Sequence, residues 1–384
     1  MRILWYSSSP EVRTAYGIVT KEIVKRLQQA GHFVRVATKH EYLKHEVTPD
    51  GLEIVLGTDL HFLNRMIEDE DFDYVITFCE LWDLWGKTPF PKKKWVAYAP
   101  TNTNEMPYAM KEVMKNTGIQ IAMTAFGCEQ IRREGYDCLY APHGLNTHNF
   151  RPDESAGLEL RTDTSWTSEN FVIGSLGVNY PDDVKGFIPL MQAFKRFHAE
   201  HNEARLFICT FANERGIYPR HNYALIAHSL GLDSLISWPN QMDYFLGRLS
   251  VDDLRRIYNA FDIFCLPTKG ESFCLPILEA QACGVPVIAT NCTSCPELVK
   301  TGWLIPAGED NLQWGTITST WYANPNPIDI ASKLEEAWLA WNEPDYAEMK
   351  AEARQGVLEY DWDAVWPKYW IPIMENLEKR LRKA

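Results

Sequence analysis

Two glutamates eight residues apart, Glu271 and Glu279, lie in the segment 267–286 (PTKGESFCLPILEAQACGVP), which follows an apolar strand and opens a helix. A strand-to-helix turn leaves backbone N–H groups without intrahelical partners, here at Phe273, Cys274 and Leu275, and the positive end of the helix dipole favours an anion such as phosphate. Glu271 stands just before that turn, and Glu279 about two helical turns beyond it. Carboxylates so spaced around an anion-binding turn suit a ligand that carries both phosphate and hydroxyls. One can reach a sugar at the mouth of the site while the other accepts bonds from ribose hydroxyls.

Such groups need a rigid frame, and the chain alternates short β-branched or aromatic runs with helical-period segments. Residues 2–6 read as a strand, 17–29 as an amphipathic helix stopped by Gly31, and 33–37 as the next strand, which makes one βαβ unit. Strands follow at 74–78, 95–98, 119–124 and 138–141, with a clear helix at 125–134. The polar stretch 151–170 holds neither period and reads as a connection. Alternation then restarts, with strands at 171–176, 204–209, 235–238, 263–266 and 285–289 and helices at 184–199 and 251–260. Near the end, Trp362, Trp366 and Trp370 recur at four-residue spacing and form an apolar stripe that must dock. The expected organisation is α/β, with a first domain over 1–160, a second over 161–355, and a helical end over 356–384 whose stripe docks on another part of the chain. Open parallel sheets bind ligands beyond the carboxyl ends of their strands, so an interdomain cleft is the expected place of function.

Composition narrows the class. The 384 residues are 46% apolar and 23% charged, close to globular averages, which excludes a disordered or disulfide-stapled chain. The net charge of −13, carried mostly after residue 150, argues against a broad nucleic-acid or anionic-membrane surface and leaves room for a local phosphate pocket. No window approaches the ~18 apolar residues of a membrane span, and the apolar run 3–6 is too short for a secretory signal. The expectation is no transmembrane segment and a cytoplasmic setting. Nine cysteines, an odd number scattered mostly through apolar runs, suit reduced thiols, and Cys292-x-x-Cys295 lacks a second pair at ligand spacing, so no metal site is expected.

The residues around the glutamates also resemble a known family. E-x7-E after P-[ST]-x-x-E, followed by EAQACGVPVIAT and PELV, resembles the retaining glycosyltransferases of the GT-B fold, family four (glycosyl transferases group 1). Further similarities run in order along nearly the whole chain. PEVRTAYG at 10–17 resembles the glycine loop after the first strand, and Gly31-His32 the entry to the second. APHGLNTHNFRP at 141–152 resembles the segment ending the first domain. Gly174 and Gly177 with Lys185-Gly186 resemble the start of the second domain, LRRIYNAFD at 254–262 the helix before E-x7-E, and the end of the chain, 356–384, the helix that packs back on the first domain.

The resemblance implies a GT-B architecture of two Rossmann-like parallel-sheet domains with an interdomain cleft. It implies transfer of a sugar from a nucleotide diphosphate sugar to an acceptor hydroxyl, with retention, no metal, and no cofactor beyond the donor substrate. Lys185 and the N–H groups of Ser272, Phe273, Cys274 and Leu275 match the family's phosphate-binding positions. Glu271 would hold the transferred sugar and Glu279 the ribose, and Gly17 would permit close backbone approach from the first domain. The family's His or Asp after a first-domain strand has no counterpart in the run Ala99 to Glu105. Asn102 is the candidate for that hydrogen bond, a turn residue being the alternative. Val178 stands where an arginine is frequent, which loads the phosphate charge on Lys185, with Arg248 and Arg215 as alternative cations. Asp71-x-Asp73 and Asp361-x-Asp363 spell the DxD of metal-dependent glycosyltransferases of the other fold, and both read as structural, Asp361 as a helix cap.

Two other classes stay open at this level. A dinucleotide-dependent oxidoreductase would need G-x-G-x-x-G between strand and helix, which neither Gly17 nor Gly174 with Gly177 provides. A catalytically silent sugar-nucleotide binding module would keep Glu279 and lose Lys185 or Glu271. The acceptor stays open among a saccharide, a protein and a hydroxylated nucleobase. Residues 311–327 read as an insertion, either ligand-selecting or a surface loop.

Overall fold

The structure is a computed structural model that describes residues 1–39, 46–48, 51–87, 90–213, 221–308 and 311–383. The chain forms two compact units, one of residues 1–144 with 362–384 and the other of residues 145–361.

In the first unit the described strands build one sheet in the order Glu46–Val47, Glu53–Leu56, Phe33–Thr38, Arg2–Ser7, Tyr74–Thr77, Trp95–Tyr98, Ile119–Ala122 and Cys138–Tyr140. Only the outermost pair, Glu46–Val47 with Glu53–Leu56, is antiparallel. Parallel strands are covered on both faces by their crossover helices, which is why residues 3–6 of the strand Arg2–Ser7 read as an unbroken apolar run, with Ile3, Leu4 and Trp5 fully buried. The C-terminal residues pack within this unit. Trp370 lies against Trp5 and Tyr98, with ring centres 6.3 and 5.2 Å apart, and the Tyr74 hydroxyl donates to the Leu377 carbonyl at 3.0 Å. The tryptophan stripe is not one regular helix. Trp362–Val365 is α-helical, Trp366–Trp370 widens into a π turn, and Ile371–Leu381 resumes the α-helix. Pro367 and Pro372 have no N–H to give to the preceding turn, so the ladder loosens where they sit.

The second unit has a wholly parallel sheet in the order Ile236–Ser237, Arg205–Cys209, Val172–Leu176, Ile263–Leu266, Val287–Thr290 and Gly302–Ile305. Beside it stands an antiparallel hairpin, Leu312–Gly315 with Thr320–Ala323, inside the segment read from sequence as an insertion. The two sheets give the α/β, two-domain parallel architecture expected from the alternation.

One expectation fails locally. The stretch read as a connection contains the helix Glu154–Asp163, capped by the Asp153 carboxylate at Ala156 N. It docks on Val251–Asn259 through Gly157, where a Cβ would stand 2.3 Å from the Asn259 carbonyl, and through Arg161, which pairs with Asp262 at 2.7 Å. Gly157 is its one buried residue, so the docking leaves no apolar stripe to read.

Candidate active site

Each sheet reverses its direction of winding beside its own first strand. In the second unit Val172–Leu176 pairs with Arg205–Cys209 on one side and Ile263–Leu266 on the other. The chain segments leaving Leu176 and Leu266 therefore diverge and leave a crevice beyond the strand ends. Lys185 lies on the first of these and Glu271 on the second. Their side chains meet, with Nζ 2.5 Å from Oε1.

Glycines make that meeting sterically feasible. A Cβ on Gly177 would sit 2.9 to 3.2 Å from Cγ, Cδ and Cε of Lys185, so the lysine stem occupies the space a side chain would need. Gly186 has φ +72°, and a Cβ there would come within 2.0 Å of the Pro267 carbonyl, so the two loops touch backbone to backbone. The Val184 carbonyl accepts from Lys269 N at 2.7 Å and from Thr268 Oγ1 at 3.0 Å. Lys185 does not open the following helix, as its expected span of 184–199 implied. The helix is Phe187–Glu200, because left-handed Gly186 interrupts it and Asp183 caps it at Phe187 N and Ile188 N, both at 3.1 Å. Lys185 stands in the turn ahead of it.

Burial works against the Lys185 ammonium, yet the Glu271 carboxylate beside it outweighs that and holds its pKa above the ordinary lysine value. The pair is mostly enclosed, with side-chain exposures of 19% and 12%. Glu271 is further fixed at both ends, since Thr268 Oγ1 lies 2.9 Å from its Oε1 and its backbone N–H donates to Thr293 Oγ1 at 2.9 Å.

Ser272, Phe273 and Cys274 lead from Glu271 into the helix Leu275–Ala282, with Cys274 at the N-cap and Pro276 in the first turn. Pro276 carries no N–H, which removes one donor from that helix start. Phe273, Cys274 and Leu275 are all buried. Glu279 lies on the same helix and is buried as well. Its Oε2 accepts from the Tyr258 hydroxyl at 2.7 Å, and burial pushes its pKa up to about 7 against the smaller opposing pull of that hydrogen bond. Lys185, Glu271 and the turn Ser272–Leu275 thus converge at one crevice, while Glu279 presents its carboxyl from within the helix with Tyr258 as its fixed partner.

In the first unit Gly17 is not a loop residue. It is the third residue of the helix Ala15–Gln29, and its N–H is taken by the capping Thr14 hydroxyl at 3.1 Å. A Cβ there would meet the Val12 and Ser9 carbonyls at 2.2 and 2.7 Å, so its own preceding loop demands a glycine. Asn102 follows the strand Trp95–Tyr98, and its Oδ1, like Thr101 Oγ1, is buried without a hydrogen-bond partner. An unpaired buried acceptor costs about 1–3 kcal/mol, a cost that a ligand hydroxyl would relieve.

Several residues of functional character lie outside the candidates named from sequence. Glu80 lies beyond Tyr74–Thr77, the neighbour of Arg2–Ser7 in the sheet, and accepts from the Tyr16 hydroxyl at 2.6 Å. Burial pushes its pKa up to about 7. The pair spans the point where the first sheet changes direction, as Lys185 and Glu271 do in the second. An acidic residue three positions past an apolar strand was the available cue. Tyr258 had none, since it owes its role to a residue 21 positions away, while Thr268 fell within the P-[ST]-x-x-E spelling without a role of its own.

The remaining chemical spellings are engaged elsewhere. Asp73 accepts from Arg2 N at 2.7 Å, and Asp361 accepts from Thr147 N and Oγ1 at 3.1 and 2.5 Å. Arg248 lies 3.7 Å from Asp243, and Arg215 is outside the described residues. None of the nine cysteines is in a disulfide, and all are buried. Among the described residues no helix is long and apolar enough to cross a membrane.

Residues 170–316, which hold Lys185, Glu271 and Glu279, match the family model described as Glycosyl transferases group 1. The D-inositol 3-phosphate glycosyltransferase of Corynebacterium jeikeium (strain K411) is 30% identical over 192 residues, 47% of this chain and 43% of that protein. The O-antigen chain mannosyltransferase B of Escherichia coli is 33% identical over 124 residues, 31% of this chain and 26% of that protein. The chain thus spans less than half the length of these curated relatives. Among solved structures, the glycosyltransferase from Rickettsia africae ESF-5 aligns over 100% of this chain and 99% of its own, with a TM-score of 0.72 at 15% identity. Anabaena HepE, solved in complex with UDP and glucose, aligns over 99% of this chain and 100% of its own, with a TM-score of 0.68 at 14% identity. The chain accordingly has the two-sheet α/β fold of the GT-B glycosyltransferase structures, and its second unit carries a match to the Glycosyl transferases group 1 family.

Proposed function

We propose that the chain transfers a sugar from a nucleoside diphosphate sugar to an acceptor hydroxyl, with retention of anomeric configuration and without a metal ion. The observation behind this is the Lys185–Glu271 pair at the crevice of the second sheet, beside the helix start that follows Glu271. As the bond from anomeric carbon to diphosphate breaks, the carbon becomes oxocarbenium-like and negative charge gathers on the leaving group. Lys185, held charged, supplies the opposing charge, supported by the N–H groups of the turn Ser272–Leu275. In this reading Glu271, held by Thr268 and Thr293, takes the hydroxyls of the transferred sugar, and Glu279 those of the ribose. By the family resemblance Asn102 is the residue proposed to hydrogen-bond the sugar, and Gly17 keeps the glycine loop compact. Nine cysteines outside any disulfide suit a reducing, cytoplasmic setting.

The test is release of free nucleotide from UDP-, GDP-, ADP- and dTDP-sugars, with and without saccharide, protein and nucleobase acceptors. A uridine donor heads the panel because HepE was solved with UDP and glucose. Acceptor-stimulated release is the expected result. Tight nucleotide-sugar binding with no release from any donor would leave a silent binding module instead.

A further inference from the structure

The turn that carries Lys185 is built from backbone conformations that ordinary residues avoid. Asp182 and Asp183 both have positive φ, +63° and +49°, and Gly186 follows at +72°. Two consecutive non-glycine residues in the left-handed region persist only where their surroundings impose it. Here the surroundings are the hairpin inserted after the sheet. Thr316 donates its backbone N–H to Asp182 Oδ2 at 2.7 Å, and its hydroxyl lies 2.8 and 3.0 Å from the two carboxylate oxygens. Gln313 Nε2 and Lys269 Nζ both donate to the Asp182 carbonyl, at 3.1 and 2.8 Å, and Lys269 also donates to Gln313 Oε1 at 2.7 Å. The turn and the hairpin line one open cavity of about 860 Å³, so on that side the turn is held by these hydrogen bonds and not by packing. From the other side Asp183 is buried, accepting from Tyr223 at 2.8 Å and from the helix start at Phe187 and Ile188.

We infer that the hairpin Leu312–Gly315 with Thr320–Ala323 is a clamp that sets the position of Lys185 against the leaving diphosphate, with Thr316 and Asp182 as positioning residues for glycosyl transfer. This rests on the role of Lys185 proposed above. Thr316 and Gln313 touch the Asp182 unit, Asp182 and Asp183 set the path of the next two residues, and Val184, tied to Thr268 and Lys269, hands that path to Lys185. A lysine whose backbone is so fixed can meet developing charge without first searching for its place.

The experiment is a double-mutant cycle between the clamp and the lysine. Asp182→Gly accepts the left-handed conformation and deletes the carboxylate that Thr316 holds, so the fold should survive. Its kcat should fall about tenfold, the scale expected when a catalytic group is slightly displaced. The KM for the nucleotide sugar should change less than kcat, and Thr316→Ala should give a smaller loss that Thr316→Ser restores. In a Lys185→Ala background Asp182→Gly should cost little more, since the group it positions is gone. Full additivity of the two losses, or a parental kcat for Asp182→Gly, overturns the clamp. A parental kcat for Lys185→Ala would instead overturn the proposed role of the lysine. If the parent turns over no donor, the same cycle is read in affinity for UDP, GDP and ADP, where additive losses again sink the inference.

Discussion

Lys185 Nζ and Glu271 Oε1 stand 2.5 Å apart across 86 residues of sequence, so the cation assigned to phosphate and the carboxylate assigned to sugar form one ion pair. Removing either partner strands the other in a mostly enclosed place. Lys185→Ala should lower kcat by ~100- to 1000-fold, the usual loss for a charge-stabilising donor in a closed site. Lys185→Arg should restore little, because the stem lies in the narrow space over Gly177. Thermal melting of Lys185→Met, Glu271→Gln and the double variant checks the pairing: the double should melt nearer to the parent than Lys185→Met does. A folded Lys185→Ala with at least a third of parental kcat would place the phosphate charge elsewhere.

The two glutamates should separate in kinetics. Glu279→Ala should raise the KM for the donor, because ribose contacts are similar in the ground and transition states, whereas Glu271→Ala should lower kcat as sugar orientation fails. Steady-state kinetics on the best donor decide it, and parental constants in both variants would dismiss the pair.

Glu279 also predicts a pH dependence of stability. Its pKa rises from an ordinary 4.5 to about 7 in the folded chain. Between those values the folded state binds more proton than the unfolded state, so this contribution is complete below pH 4.5 and is lost as pH rises towards 7. Glu279→Gln removes the titration, while Glu80 and the other titrating groups behave alike in both chains and cancel. Relative to the parent, the variant should gain on the order of 3 kcal/mol of unfolding free energy on going from below pH 4.5 to above pH 7. Urea unfolding at both ends measures it; an unchanged difference would mean that Glu279 is not held protonated.

Gly177→Ala should be a quiet substitution for the fold and a costly one for the reaction. The added Cβ would press on the Lys185 stem at 2.9 to 3.2 Å. A loss of about 1 kcal/mol in stability is the scale for such crowding, while kcat should fall about tenfold as the ammonium shifts. Parental kcat in a folded variant would show that the lysine does not need that space.

Because Lys185 and a helix start hold the phosphate in this scheme, EDTA should leave the rate within a few-fold, and early product examined by NMR should retain the donor's anomeric configuration. Complete loss that manganese restores would sink the metal-free scheme. An inverted anomeric signal would sink the retaining one.

Sequence alone determined the α/β class and the two parallel sheets, because strands buried on both faces must be written as unbroken apolar runs, as at residues 3–6 and Ile263–Leu266. It also determined the candidate pair Glu271 and Glu279, since a turn, a helix start and an eight-residue spacing are local quantities. Helix Glu154–Asp163 was illegible because Gly157 docks by absence of a side chain, and the π turn Trp366–Trp370 because period continues through it even when the hydrogen-bond ladder does not. What only the tertiary structure decided are the partnerships. Lys185 with Glu271, Glu279 with Tyr258, Tyr16 with Glu80, and Asp182 with Thr316 each join residues far apart in the chain. Strand order brings the first and third of these together, and a hairpin that folds back supplies the last. The same holds for the burial that raises the pKa of Glu80 and Glu279: it is a property of what the rest of the chain packs around a carboxylate, and no local spacing encodes it.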